Sequence, residues 1–259
     1  MPSAATLRRQ IEQDLEGRFP SALTPAPRTI REVASTGIDG VDELLDGGMP
    51  MGAICEITGP ASSGRTTLAL SFVARRTAEA RVCAWVDVCD ALDPESAAAA
   101  GVNLQQLLWV RCRNAAQNLP RKTRPWTRLD QALRATDLLL QAGGFAAIVL
   151  DLADMAPEHA SRIPLATWFR YRQAADRTRC SLLILGHAAY AQSSAALAIE
   201  CAPSNPETAG GTVLSGFTYE VRRSRQRFAP GQGCGRPGER KPPASTWSAG
   251  TVWEAERRA

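Results

Sequence analysis

The sequence lacks long apolar segments. In its 259 residues, no uncharged apolar run reaches the ~18 residues that a membrane-spanning helix needs. Residues 1–19 mix charged and apolar side chains without a central apolar segment, so we expect no secretory signal. The sequence therefore predicts a cytoplasmic protein that does not associate with membranes.

Histidine and lysine are also scarce. The two histidines and seven cysteines form no CxxC pair and no spacing typical of metal ligands, so we expect no zinc site. Of the 30 basic residues only Lys122 and Lys241 are lysine, and a net charge of +4 does not by itself indicate nucleic-acid binding. Hydrophobic residues make up 44% and charged residues 22%, which excludes wholesale disorder.

Apolar runs typical of buried strands alternate with helical patterns along the middle of the chain. Strands are predicted over 53–58, 82–88, 107–112, 146–152 and 181–185, and helices over 39–45, 66–76, 95–100, 127–141 and 164–177. This alternation predicts an α/β fold with a mostly parallel central sheet and helices on both faces. Segments 195–200 and 216–227 predict a C-terminal β-hairpin at the edge of the sheet.

The chain divides into three predicted regions. In residues 1–34, Leu7, Ile11 and Leu15 indicate a short amphipathic helix, and the prolines that follow indicate an extended linker. Such a helix could pack on its own core or dock on a neighbouring subunit, and the sequence leaves both open. Residues 35–230 form the predicted core, and the Gly-, Pro- and Arg-rich residues 231–259 a flexible tail.

A glycine-rich segment between the first long strand and its helix has the spacing of a phosphate-binding loop. Glycines let successive N–H groups point inward, and the helix N-terminus adds positive potential. The predicted nucleotide-binding residues here are Gly59, Pro60, Ala61, Ser62, Ser63, Gly64, Arg65, Thr66 and Thr67. Arg65 stands where such loops usually carry lysine; its forked guanidinium could hold a phosphate but argues against competent phosphoryl transfer.

Asp151 ends the apolar run 147–150, the form of a Walker B strand whose carboxylate steadies Mg²⁺. Thr66 can supply a hydroxyl to the same ion. Thr66 and Asp151 are therefore the predicted metal residues, and ATP with Mg²⁺ is the predicted cofactor. An aspartate at a strand end is also a common capping residue, so the indication depends on the loop that accompanies it.

Together these motifs resemble the core of the RecA recombinase family. The resemblance is closest over residues 35–112, through Ser35-Thr36-Gly37, the loop at 59–67 and the segment 87–94, and it continues more weakly to about residue 230. It implies a RecA-like P-loop core and a nucleotide-binding protein of DNA repair and recombination.

Two departures from the RecA pattern concern hydrolysis. Cys89, followed by Asp90, stands where the resemblance implies a glutamate that positions the attacking water, and a thiol cannot act as that base without becoming a thiolate. His187 replaces a glutamine of the family; it could hydrogen-bond a phosphate or be a solvated strand-end histidine. We expect hydrolysis to be lost, which leaves enzymatic activity an open question.

Arg225 and Arg227 resemble the RecA Lys-x-Lys pair that reaches across the subunit interface to the neighbour's nucleotide. They complete the predicted nucleotide-binding set, although a basic, solvated edge strand is an equally good explanation. The tetrapeptide 205–208 resembles part of a RecA DNA-binding loop, but its position after segment 195–200 favours a hairpin turn.

A RecA-like core with an altered catalytic set is similar to ImuA-type proteins, RecA relatives that act with ImuB in damage-induced (SOS) translesion DNA synthesis. The first hypothesis is an accessory factor that binds an ImuB-like polymerase-family protein and holds nucleotide without turnover. The alternative is a DNA-dependent ATPase that forms a recombinase filament on single-stranded DNA. Basic residues around Trp126 could contact single-stranded DNA, and a regulator that binds neither ligand is a third option.

Overall fold

The computed structural model describes residues 29–113, 127–203, 205–209, 213–231 and 244–250. The strands are β1 (Thr29–Arg31), β2 (Val33–Ala34), β3 (Met49–Pro50), β4 (Ile54–Thr58), β5 (Cys83–Asp87), β6 (Leu107–Arg111), β7 (Ala147–Asp151), β8 (Ser181–Gly186), β9 (Ala195–Cys201), β10 (Asn205–Ala209), β11 (Val213–Gln226), β12 (Phe228–Pro230) and β13 (Ala244–Gly250). The helices are α1 (Asp39–Leu44), α2 (Arg65–Ala78), α3 (Pro94–Ala99), α4 (Arg128–Ala142), α5 (Pro157–Ala160) and α6 (Leu165–Thr178).

Six parallel strands form the centre of the main sheet, in the order β9-β4-β8-β7-β5-β6. Successive side chains of each strand face opposite layers of helices. Cys55 and Ile57 of β4 pack in the same cluster as Phe72 of α2, whereas Ile54 lies in the cluster that contains Trp168 of α6. Because both faces of the four inner strands are covered, β4, β8, β7 and β5 are buried along their whole length. The predicted α/β fold, with a mostly parallel sheet and helices on both faces, is confirmed.

Beyond β9 the sheet continues through the long antiparallel strand β11. The second half of β11 pairs with β9, its first half pairs with β10, and its other edge pairs with β13. The two segments predicted as a C-terminal hairpin therefore do pair. However, β10 lies between them in the chain, and β9 also pairs with β4 in the interior of the sheet.

The structure differs from the sequence interpretation at two places in this region. Residues 205–208, predicted as a hairpin turn, lie in β10. This strand is an outer strand of the described sheet, where proline is tolerated because one strand edge has no hydrogen bonds to make; Pro206, which has no backbone N–H, is therefore accommodated. Residues 231–259, predicted as a flexible tail, include β13. Residues 244–250 form a strand because they supply hydrogen-bond partners for the backbone N–H and C=O groups along the second edge of β11.

The core begins before residue 35, where the sequence places the end of a linker. Strand β1 pairs in parallel with β12, and β2 pairs with β3. Arg31 donates to the carbonyl oxygen of Gly52 at 2.6 Å and forms an ion pair with Asp176 at 2.9 Å. The predicted amphipathic helix and most of the proline-rich linker lie in residues 1–28, outside the described residues. No helix in the described ranges is long and apolar enough to cross a membrane.

Two neighbouring residues of α6 test this packing. Trp168 is fully buried, whereas Phe169 is 53% exposed. We expect Trp168→Ala to lower the free energy of unfolding by about 3–5 kcal/mol, because it leaves a cavity between α6 and the sheet. Phe169→Ala should change it by less than about 0.5 kcal/mol. Urea unfolding followed by circular dichroism measures both, and equal losses in the two variants would contradict the packing described.

Candidate nucleotide-binding site

The loop of residues 59–64, here called the phosphate loop, connects β4 to α2 and requires glycine at both ends. A Cβ at Gly59 (φ +155°) would lie 2.4 Å from the carbonyl oxygen of Cys201, and one at Gly64 (φ +83°) would lie 2.5 Å from the ring of Tyr219. Among the described residues, no side chain caps the first turn of α2. The N–H groups of that turn are therefore left for another acceptor, in the field of the helix N-terminus.

Two side-chain donors at the phosphate loop lack a hydrogen-bond partner within the described structure: Ser63 Oγ and Arg65 Nη1. Arg65 is only 6% exposed, so its guanidinium is largely removed from water. Burial raises the pKa of the Cys201 thiol, and the nearby charge of Arg65 opposes that rise. A buried guanidinium with an unpaired N–H is unfavourable on its own and fits a bound anion such as phosphate.

Across from the phosphate loop, Asp151 ends β7 at a cavity of about 430 Å³. Arg65, Thr66, Asp151 and Asp154 all line this cavity, which has the volume typical of small-ligand sites. The two predicted metal residues thus lie at one cavity. No group of three or more His, Cys, Asp or Glu side chains in the described ranges could hold a metal ion by itself. A Mg²⁺ ion here would therefore also need the Thr66 hydroxyl and phosphate oxygens as ligands.

The environment of Asp151 favours its protonated form. The pKa of Asp151 is raised to about 6, chiefly by burial and to a smaller extent by the carboxylates of Asp87 and Asp154. The backbone N–H of Ala153, which donates to Asp151 Oδ1 at 3.0 Å, opposes this rise. Because burial disfavours the charged form of this carboxylate, a nearby cation would stabilise that form, which fits the Mg²⁺ that the phosphate loop implies.

The position of the expected catalytic glutamate carries no free carboxylate. Burial raises the pKa of Cys89, and the carboxylates of Asp154 and Asp151 raise it further, so the thiolate is disfavoured. Asp90 forms a two-point ion pair with Arg111, whose Nε and Nη2 lie 2.5 and 2.7 Å from the two carboxylate oxygens. The guanidinium of Arg111 also lies 4.6 Å from the centre of the Trp109 ring. Asp90 is thereby held at the edge strand β6.

The remaining predicted residues divide between this site and another edge of the molecule. Within the loop and the start of α2, Ser63, Gly64 and Arg65 are buried, Gly59 and Thr67 are half-buried, and Pro60, Ala61, Ser62 and Thr66 are exposed. His187 is exposed just after β8 and is not among the residues that line the cavity at Asp151. Arg225 and Arg227 donate to the carbonyl oxygens of Gln192 and Ser193, respectively, so they lie beside the turn that follows β8.

A buried glutamate connects that turn to the phosphate loop. Glu56, on β4, accepts hydrogen bonds from the backbone N–H groups of Tyr190 and Ala191, both at 2.6 Å. Burial raises the pKa of Glu56, and these two N–H groups and the charge of Arg225 oppose the rise. The strand that leads into the phosphate loop therefore also holds the turn bound by Arg225 and Arg227.

Sequence reasoning missed three residues that the fold brings to the phosphate loop. Asp154 follows Asp151 by three residues, so its proximity could have been inferred from the strand end. Phe217 and Tyr219 line a second cavity of about 250 Å³ beside residues 62–67. No sequence signal indicates them, because their position depends on the register of β11.

A parallel sheet whose central strand leads through a glycine-rich loop into a helix, with a strand-end aspartate at the same cavity, defines a P-loop α/β protein. The RecA N-terminal domain family matches residues 10–161, more than half of the chain. The chain belongs to this family.

Individual relatives agree with this assignment. The chain is 41% identical to Protein RecA of Ruegeria pomeroyi over 129 residues, which cover 49% of this chain and 33% of the relative. It is 32% identical to Protein RecA of Cereibacter sphaeroides over 211 residues, which cover 76% of this chain and 55% of the relative. The chain thus spans from a third to about half of the length of these relatives.

A solved structure agrees at the level of the fold. The crystal structure of the RadB recombinase superposes with a TM-score of 0.53 at 18% sequence identity, and the match covers 76% of this chain and 91% of that chain. At this identity, the likeness shows the fold alone.

The raised pKa of Asp151 predicts a stability effect of defined sign. Since this pKa is higher in the folded than in the unfolded chain, keeping the carboxylate charged at pH 7.5 costs the folded state about 2–3 kcal/mol. Asp151→Asn keeps an acceptor for Ala153 but removes the charge, so we expect it to raise the free energy of unfolding at pH 7.5. The gain should shrink as the pH falls through 6 toward 4, because the wild-type carboxyl is then protonated. Urea unfolding at pH 7.5 and 4.5 measures this, and a destabilised variant at pH 7.5 would contradict it.

Proposed function

We propose that this chain binds ATP with Mg²⁺ at the phosphate loop. The observation that carries the proposal is the buried guanidinium of Arg65, whose Nη1 has no hydrogen-bond partner among the described residues, beside the Ser63 hydroxyl, which also has none there. Arg65 and the N–H groups at the start of α2 would hold the phosphates. Thr66 and Asp151 would hold the metal ion, which neutralises phosphate charge when bound.

We further propose that the nucleotide acts as a bound effector without turnover, in an accessory factor for DNA repair of the ImuA type. Hydrolysis needs a metal, a phosphate clamp and a positioned water together. Burial raises the pKa of the Cys89 thiol and Asp90 is paired with Arg111, which supports the absence of the usual base. The resemblance then implies an ImuB-like polymerase-family partner, damage-induced translesion synthesis and a cytoplasmic location. The N-terminal segment is the candidate for self-association.

Two arginines of α2 test nucleotide binding. Arg65 is buried at the phosphate loop, whereas Arg75, ten residues later in the same helix, is exposed and lies near Glu79. We expect Arg65→Ala to weaken Mg·ATP binding by more than about 10-fold, because it removes a charged donor to phosphate. Arg65→Lys should restore most of the affinity, and Arg75→Ala should leave it unchanged. Isothermal titration calorimetry measures all three, and wild-type affinity in Arg65→Ala would overturn the proposal.

One feature favours a second candidate function, a DNA-dependent ATPase that assembles on single-stranded DNA. Asp154 lines the same cavity as Thr66 and Asp151, and it is exposed there. Its carboxylate could position a water in place of the missing glutamate. In such an assembly, Arg225 and Arg227 would reach the nucleotide of a neighbouring subunit.

ATP turnover with and without single-stranded DNA separates the two functions. We expect no turnover by the wild-type chain in either condition, together with a complex between the chain and an ImuB-like protein in gel filtration. The double variant Arg65→Lys, Cys89→Glu should gain turnover if the lost clamp and base are the only defects. DNA-stimulated turnover that Asp154→Asn abolishes, while Mg·ATP affinity is kept, would replace the accessory function by the ATPase.

A further inference from the structure

We propose that Trp85 is a positioning residue for Asp151, and that its indole N–H is the donor that orients this carboxylate at the metal site. The indole of Trp85 is fully buried, and its Nε1 atom has no hydrogen-bond partner within the described part of the chain. A buried N–H group without a partner is unfavourable, so an acceptor within its reach stabilises the fold. The part of the inference that concerns the metal ion rests on the proposed nucleotide binding.

The register of β5 and β7 places Trp85 and Asp151 on one diagonal of the sheet. Trp85 lies opposite Val149, and Asp87 lies opposite Asp151. Trp85 and Val149 pack in the same core cluster, so their side chains face the same side of the sheet. Side chains two residues apart on a strand share a face, so Asp151 is on that side as well. Asp151 is therefore the carboxylate that lies diagonally ahead of Trp85 on the adjacent strand.

The neighbouring pair of strands shows that an indole can span this diagonal. Trp109 of β6 lies opposite Trp85, and Arg111 lies opposite Asp87. The Trp109 Nε1 atom donates to Asp87 Oδ2 at 3.2 Å, so it reaches the aspartate two residues ahead on the next strand. Trp85 and Asp151 repeat this arrangement one strand further into the sheet.

The two aspartates differ in the number of donors that hold them. Besides the Trp109 indole, Asp87 accepts two backbone N–H groups of the segment that follows β5, at 3.0 and 2.9 Å. Within the described residues, the carboxylate of Asp151 accepts one hydrogen bond, from the N–H of Ala153 to Oδ1 at 3.0 Å. The Trp85 N–H lies near enough to oppose the rise in the pKa of Asp151, although it does not reach hydrogen-bond geometry. A second donor would fix the orientation of this carboxylate and leave lone pairs for a metal ion.

The contact between Trp85 and Asp151 is tested first without any ligand, by ¹H–¹⁵N correlation NMR of the full chain at pH 7.5. The chain has six tryptophans, and Trp85→Phe and Trp109→Phe each remove one indole N–H signal and thereby assign it. We expect Asp151→Asn to move the Trp85 signal upfield, because a carboxylate is a stronger acceptor than an amide. The Trp109 signal should stay in place. A Trp85 signal that does not move in Asp151→Asn would overturn the inference, whatever the chain binds.

The positioning role is tested by the Mg²⁺ concentration that gives half-maximal ATP binding in equilibrium dialysis. We expect Trp85→Phe to raise this concentration by about 10-fold, because the loss of a group that orients a metal ligand weakens metal binding by about that factor. Trp168→Phe is the matched control, because it makes the same change in an equally buried tryptophan on the other face of the sheet. This control should leave the Mg²⁺ requirement unchanged.

The remaining outcomes of the dialysis experiment are distinct. If Trp85→Phe and Trp168→Phe raise the Mg²⁺ requirement equally, the effect is one of core packing, and the positioning role is overturned. An unchanged requirement in Trp85→Phe overturns it as well, even if the NMR shift is present. If the wild-type chain binds no ATP at any Mg²⁺ concentration, the proposed function fails, and the NMR shift alone then decides whether Trp85 holds Asp151.

Discussion

The arrangement of the site depends on one steric constraint, the close approach of the phosphate loop to the strands beside it. Strand β4 is buried between β8 and β9, and only six residues separate its end from the start of α2. That turn brings Gly59 against the carbonyl of Cys201 on β9 and Gly64 against the ring of Tyr219 on β11. The main-chain curl that offers N–H groups to an anion therefore exists because the sheet next to it leaves no room for side chains.

The close packing around the phosphate loop also buries two charged side chains that the fold alone does not fully stabilise. Arg65 is a shielded cation with a free donor, and Asp151 is a shielded carboxylate whose pKa is raised to about 6. Each is unfavourable alone, and the backbone N–H of Ala153 compensates Asp151 only in part. A metal-bound polyphosphate carries both complementary charges, so the unfavourable burial of these two groups and their suitability for such a ligand have one physical origin.

The sequence predicts the parallel core because helix and strand periodicities there coincide with burial on both faces, as in β4 and α2. It also predicts the phosphate loop and Asp151, since each is encoded within a few adjacent residues. What it misses depends on register and long-range pairing. The position of Tyr219 over Gly64 follows from the ladders of β11 with β9 and β13. Strands β10 (Asn205–Ala209) and β13 (Ala244–Gly250) likewise form because β11 is long enough to pair with three partners.

The hydrogen bonds of Arg225 and Arg227 link the end of β11 to the turn at residues 192–194. Both guanidinium groups use carbonyl oxygens of the 192–194 turn as acceptors, and Glu56 holds the residues just before that turn. Each of these bonds uses only Nη1, so an incoming anion can bind the remaining N–H donors of either guanidinium while the carbonyl stays bound. An anion that binds these arginines more tightly when the turn is ordered would therefore stabilise the turn by the same free energy that the ordered turn adds to anion binding.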